Sequence, residues 1–155
     1  MSGLNQPISP EGKAAAEAEL AELTTARRAE IVDAIKVARE FGDLKENAEY
    51  HAARESQSMN EARIRQLEHQ LAHAEVVGAP TGDKAGVGST LRFRDGATGN
   101  VSEMTLVHPL EASMPDGKLS VDSPVGRALI GSSKGASVEV STPRGSKQLE
   151  ILEIS

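Results

Sequence analysis

AREFGDLKENAEYHAARE, residues 38–55, decides how the first half of the chain folds. Gly42 is the only glycine between Gly12 and Gly78, and no proline lies between Pro10 and Pro80. A long proline-free stretch rich in Ala, Glu, Arg and Leu is helical by propensity. A lone glycine in its middle is the residue best suited to end a helix, because it adopts a positive φ without steric cost. The reading is a helix over about 10–41, a sharp reversal at 42–44 and a second helix over about 44–77. At ~1.5 Å per residue each arm would be roughly 45–50 Å long. Ser9 and Pro10 supply an N-cap and a first-turn proline, and Val76, Val77 and Gly78 close the second arm.

The quoted stretch also carries the carboxylates Asp43, Glu46 and Glu49. Residues alone leave two readings of them. DLKE fits a capping box, with Asp43 as N-cap and Glu46 reaching back to its backbone N–H, and acids in a first turn suit the helix dipole. Equally, Asp43 and Glu46 share a helix face and could jointly reach one hard cation. Two carboxylates are too few to hold Mg²⁺ alone, but they could complete a site that a partner half-builds.

The arms carry a coiled-coil seam. On the first it runs Leu20, Leu23, Ile31, Ala34 or Ile35, Ala38 and Phe41. On the second it runs Tyr50, Ala53, Gln57, Asn60, Ile64, Leu67, Leu71 and Ala74, with the alternating 3-4 spacing of a and d positions. Small and polar residues in the middle make this a thin interface. Phe41 and Tyr50 are expected to pack together beneath the turn. Arg27 and Arg28 on one arm fall near Arg63 and Arg65 on the other, a modest basic cluster that reads, from the residues, as coil salt bridges.

From Pro80 the texture changes, and ten of the fourteen glycines lie beyond it. Short alternating runs, STLRFRD, VSEMTLVH, KLSVD, ASVEVST and KQLEILEI, read as strands. DGATGN, MPDGK and TPRGS read as turns between them. SPVGRALIG reads as a short helix after an exposed turn at Asp122, Ser123 and Pro124. The fold class is α+β: a helical-hairpin domain over 1–78 and a small antiparallel-sheet domain over 79–155.

Composition excludes several functions. The chain of 155 residues has no cysteine, so disulfides and thiolate metal sites are ruled out. No apolar run approaches the ~18 residues of a membrane span, and the N-terminus has no apolar signal core, so a cytoplasmic protein is expected. A formal charge of −6 argues against a protein whose main task is coating nucleic acid. GDKAGVGST lacks the lysine and spacing of a phosphate loop. His69 and His73, at i and i+4, read as exposed coil residues rather than metal ligands.

AREFGDLKENAEYHAARE resembles the tip motif of the Gre transcript-cleavage factors of bacterial RNA polymerase. EARIRQLEHQLAHAEVV (61–77) is similar to the second arm of that family, and VDSPVGRALIGSSKGASVEVSTPRG (121–145) to its C-terminal domain. The matches occur in order and span nearly the whole chain, least clearly over 80–118. The resemblance implies that the coiled coil enters the secondary channel of the polymerase while an FKBP-like domain docks at the rim through Asp122, Ser123 and Pro124. It further implies that Asp43 and Glu46 help hold the second Mg²⁺ of the polymerase active site, and that the polymerase then cleaves backtracked RNA. Phe41, Gly42, Lys45, Asn47, Glu49 and Tyr50 would support the tip, and Arg27, Arg28, Arg63 and Arg65 would meet the nascent RNA 3′ end. The chain would act as a monomer, with no cofactor of its own and no enzymatic activity alone. The alternative is a polymerase-binding inhibitor of the same shape, but relatives of that kind alter the tip, which is intact here. A prolyl isomerase is disfavoured, since such pockets need aromatic side chains and this domain has only Phe93.

Overall fold

The computed structural model describes residues 5–43, 47–80 and 82–155. Strand β1 (Gln6–Ile8) leads into helices α1 (Pro10–Thr24) and α2 (Ala26–Arg39). After the turn come α3 (Ala48–Ala72) and β2 (Ala74–Val76). The remainder is β3 (Thr90–Asp95), β4 (Val101–Val107), β5 (Lys118–Ser120), α4 (Pro124–Leu129), β6 (Ser137–Thr142) and β7 (Gly145–Ile154). By internal contacts Ala14–His73 form one unit, and the segment leading up to Lys13 joins Ala74–Ser155 in the other.

The hairpin unit is held by an aliphatic seam. Ile31, Ile35 and Ala38 of α2 are buried, as are Ala53, Asn60, Ile64 and Leu67 of α3. Of the two candidates on the first arm Ile35 faces inward, and Ala34 is exposed. Burying one such Ile or Leu contributes about 1.5–3 kcal/mol. The first arm is not one helix as expected. It breaks at Thr25, whose φ and ψ are −115° and −89°. Two adjacent threonines explain the break. Thr24 Oγ1 donates to the Leu20 carbonyl at 2.8 Å and Thr25 Oγ1 to the Ala21 carbonyl at 2.6 Å. Such back-bonding competes with the helical ladder and bends it. Across the seam, Asn60 Nδ2 donates to the Leu23 carbonyl at 3.0 Å, which gives a buried amide a partner at the break.

The second arm also ends earlier than periodicity suggests. His73 closes α3, and residues 74–76 pair in parallel with Gln6–Ile8. Ile8 is fully buried, and its carbonyl accepts from Val77 N at 2.9 Å. The predicted N-cap is present: Ser9 Oγ accepts from Gly12 N at 3.0 Å. Glu111 then seats on the same helix start, accepting from Ser9 Oγ at 2.6 Å and Ser9 N at 3.3 Å.

The other unit is a five-stranded sheet in the order β5-β4-β3-β7-β6. Each expected strand forms, with Leu91, Phe93, Leu149 and Ile151 turned into the core and Arg92 and Glu150 outward. The sheet is mixed rather than purely antiparallel, because β4 and β5 run parallel. Between them the chain crosses over through 3₁₀ turns at Pro109–Glu111 and Met114–Asp116 instead of a tight hairpin, as a parallel pair requires. His108 opens this crossover fully buried, with Nδ1 accepting from Leu110 N at 3.0 Å. Its proton therefore sits on Nε2, which has no hydrogen-bond partner among the described residues. Burial pushes the imidazole below its ordinary pKa, partly offset by the charges of Glu111 and Asp122.

Candidate functional site

The reversal between the arms is built by both helix ends. Phe41 N donates to the Ala38 carbonyl at 3.2 Å and Gly42 N to the Arg39 carbonyl at 3.3 Å, tightening the last turn of α2. Gly42 then takes a φ of +101°, the conformation its place in the sequence calls for. Asp43 follows, exposed. Leu44, Lys45 and Glu46 lie outside the described residues, and with them the placing of Glu46 as a ligand and of Lys45 beside it.

The N-cap of α3 is Asn47 rather than Asp43. The Asn47 side chain accepts from Tyr50 N at 3.0 Å. Asn47 Nδ2 also donates to the Ala38 carbonyl of the opposite arm. Sequence reasoning placed Asn47 only among the supporting residues. Its N-cap chemistry, three residues ahead of Tyr50, was the available signal.

Phe41 does not pack beneath the tip: it is 68% exposed. Tyr50 packs instead on Ile31, Ile35 and Ala53. Its ring meets His51 edge-on at 5.7 Å, and the Arg39 guanidinium lies 6.0 Å from its centroid. Glu49 is exposed in the first turn of α3. Among the described residues no three acids or imidazoles gather as a metal cage, so Asp43 can offer oxygen to a cation only as part of a shell completed from elsewhere.

The basic cluster resolves into ion pairs. Arg28 forks onto Glu61 at 2.7 and 2.9 Å, and Arg63 onto Glu19 at 2.8 and 2.9 Å. Arg27 meets Glu30 at 3.2 Å. The Arg63 hydrogen bonds hold Glu19 below the usual carboxylate range, and Arg28, with a smaller share from Arg65, does the same to Glu61. Three of the four expected RNA-facing arginines are thus engaged. A different set is open. Lys36, Arg39 and Arg54 line one groove of about 450 Å³ with Val32, Ile35, Glu40 and Gln57. Among the described residues none of these three cations has a carboxylate at ion-pair distance. Sequence spacing gave no sign of this, because the partners that neutralise an arginine are chosen across the hairpin.

At the expected docking turn, Asp122 accepts from Gln6 Nε2 at 3.0 and 3.2 Å. Ser123 Oγ caps α4 by accepting from Gly126 N at 3.0 Å and donates to the Ser120 carbonyl at 2.7 Å. Pro124 is exposed at the first helical position. The rings of His69 and His73 lie tilted by 41° with centroids 4.4 Å apart, and His73 Nδ1 lies 2.8 Å from the His69 carbonyl oxygen.

Comparison with known proteins places the helical hairpin and the five-stranded sheet in a class of transcription factors. The family model described as transcription elongation factor, N-terminal, matches residues 6–76, and that described as transcription elongation factor, GreA/GreB, C-term, matches 79–155. The chain belongs to the GreA/GreB family of transcription elongation factors. More particularly, it is 45% identical over 151 residues to transcription elongation factor GreA of Methylobacterium nodulans, covering 96% of each chain. It is 40% identical to GreA of Bacillus cytotoxicus, covering 96% of this chain and 95% of that one. GreA factor homolog 1 of Thermus thermophilus, a solved structure, is 25% identical, covers 97% of this chain and 99% of its own, and superposes with a TM-score of 0.45. No helix among the described residues is long and apolar enough to cross a membrane.

Proposed function

We propose that this chain acts in transcription elongation as a monomeric, cytoplasmic partner of bacterial RNA polymerase that stimulates the polymerase's own cleavage of backtracked RNA. The hairpin enters the secondary channel, and the turn at Asp122, Ser123 and Pro124 meets the rim. Asp43 and Glu46 supply carboxylate oxygens to the second Mg²⁺ of the polymerase active site. That ion, when held, serves two-metal hydrolysis by activating water or steadying the leaving oxygen. Lys36, Arg39 and Arg54 face the phosphates of the displaced RNA.

The observation that carries this reading is the division of labour at the turn. Asn47 is the N-cap of α3, and Asp43 stands exposed at the reversal just ahead of it in the chain. The test is Asp43→Asn with Glu46→Gln in stalled, backtracked elongation complexes. Amides are poor Mg²⁺ ligands, so stimulated cleavage should fall by about 10²-fold or more, while polymerase binding stays within about threefold of the parent. Parental cleavage by the double variant would refute the assignment.

A further inference from the structure

We infer that His69 and His73 form a binding site for one divalent cation of the Zn²⁺, Ni²⁺ and Cu²⁺ class, on the last turn of α3. The site is separate from the tip and goes beyond the function proposed above. The sequence shows two histidines four residues apart on a helix, and by itself it leaves them as exposed coil residues. Three features of the fold change that reading. The rings lie together, with centroids 4.4 Å apart and planes tilted by 41°. That is within the span of two ligand bonds of about 2.0–2.1 Å to a single ion, and i, i+4 is the spacing at which helical histidines chelate Zn²⁺. The tautomer of His73 is also fixed. Its Nδ1 lies 2.8 Å from the His69 carbonyl oxygen, and a carbonyl only accepts, so Nδ1 carries the proton and Nε2 keeps its lone pair. An imidazole held through one nitrogen by a backbone carbonyl is oriented to ligate through the other. The end of the helix supplies that carbonyl. The His73 N–H turns to the Gln70 carbonyl at 3.3 Å, and the His73 ring takes up the His69 carbonyl that a longer helix would have paired. Finally, His69 lies in the last turn of α3 and His73 is its C-cap, the end at which the helix dipole favours positive charge. His69 is exposed and His73 half-buried, which leaves the ion a path to both rings. Imidazole selects Zn²⁺, Ni²⁺ and Cu²⁺ over Mg²⁺ and Ca²⁺, which take oxygen. Among the described residues no third imidazole or carboxylate completes a cage, so the ion keeps water in its other positions and affinity comes from chelation by the two rings.

Cu²⁺ binds imidazole most tightly of this series and is paramagnetic, so it is the probe. It is titrated at neutral pH into the tag-free full chain, and the ring signals of the four histidines are followed by NMR. His69 and His73 should broaden together at a low Cu²⁺ ratio at which His51 and the fully buried His108 are unchanged. This reading is made on the parent chain and needs no variant to fold. By calorimetry, His69→Ala and His73→Ala should each weaken Cu²⁺ binding by about 10²-fold, because one ring no longer has the second at high effective concentration. Saturating Zn²⁺ should raise the melting midpoint of the parent and of neither variant, since an ion bound only by the folded helix stabilises it. Mg²⁺ at the same concentration should change nothing. Broadening of His51 at the same ratio as His69 and His73 would overturn the site, as would a loss of less than about threefold in both variants. Either result would leave two ordinary surface imidazoles.

Discussion

Gly126→Ala should destabilise the sheet unit, although helix propensity alone predicts the opposite. Gly126 sits inside α4 and is buried, with no positive φ to protect. On propensity, Ala in a helix interior gains about 1 kcal/mol over Gly. Packing reverses the sign. A Cβ at this position would stand 2.0 Å from the Ser120 carbonyl oxygen and 3.0 Å from Ser123 Oγ. The obstruction is backbone, so it cannot swing aside, and α4 must move by roughly 1 Å or more to restore van der Waals distance. That carbonyl accepts from Ser123 N at 3.1 Å and Ser123 Oγ at 2.7 Å, and the same hydroxyl accepts from Gly126 N at 3.0 Å. Losing these three bonds costs about 1 kcal/mol each. Set against the propensity gain, the net loss is about 2 kcal/mol, and exposure of the fully buried Leu129 beside them would add to it. For a unit of this size the melting midpoint should fall by about 10 °C. Urea titration followed through the amide signals of Leu129 and Leu149 reads this unit apart from the hairpin. A variant as stable as the parent, or more so, would refute the packing argument. Since Ser123 and Pro124 form the proposed docking turn, polymerase affinity should fall with stability.

Two further expectations concern charge. His108 is held neutral by burial and has a lowered pKa, so the unfolded chain takes up its proton first. Stability of the sheet unit should therefore be complete above the ordinary imidazole range and decline as pH falls through it toward the lower folded value. Replacing His108 by Asn should flatten that slope, measured by melting curves from neutral to mildly acidic pH. In the groove, Lys36→Ala with Arg54→Ala should weaken crosslinking to the RNA 3′ segment. The salt dependence of RNA binding should fall by about one unit for each phosphate no longer neutralised. Arg28→Ala, which only releases Glu61, should change neither.

Much of this organisation is local, and local chemistry is what a sequence displays. The lone Gly42 in a proline-free helical stretch announced the reversal. Alternation in TLRFRD and KQLEILEI told which residues face the core, and Ser9 and Pro10 marked the start of α1. The tip motif by itself carries the likeness to the family. The failures have one physical origin: they depend on groups far apart in the chain. Residues 74–76 have the pattern to continue a helix, but Gln6–Ile8 offers them a parallel strand and a buried Ile8 to pack on. The paired threonines were visible, yet the break they cause is tolerated because Asn60 reaches across to Leu23. DLKE satisfies a capping-box pattern, but Asn47 takes the cap of α3 because its amide can also bond Ala38 on the other arm. The arginines of the basic cluster form the coil salt bridges that were one of its two readings, but the acids that serve them, Glu61 for Arg28 and Glu19 for Arg63, are selected across the hairpin. Sequence alone determined the two kinds of domain and the acid at the turn, since turn, cap and periodicity act within a few residues. Tertiary structure decided which polar groups are already satisfied and which remain open for a partner, because hydrogen bonds and ion pairs are made between whichever groups the fold brings together.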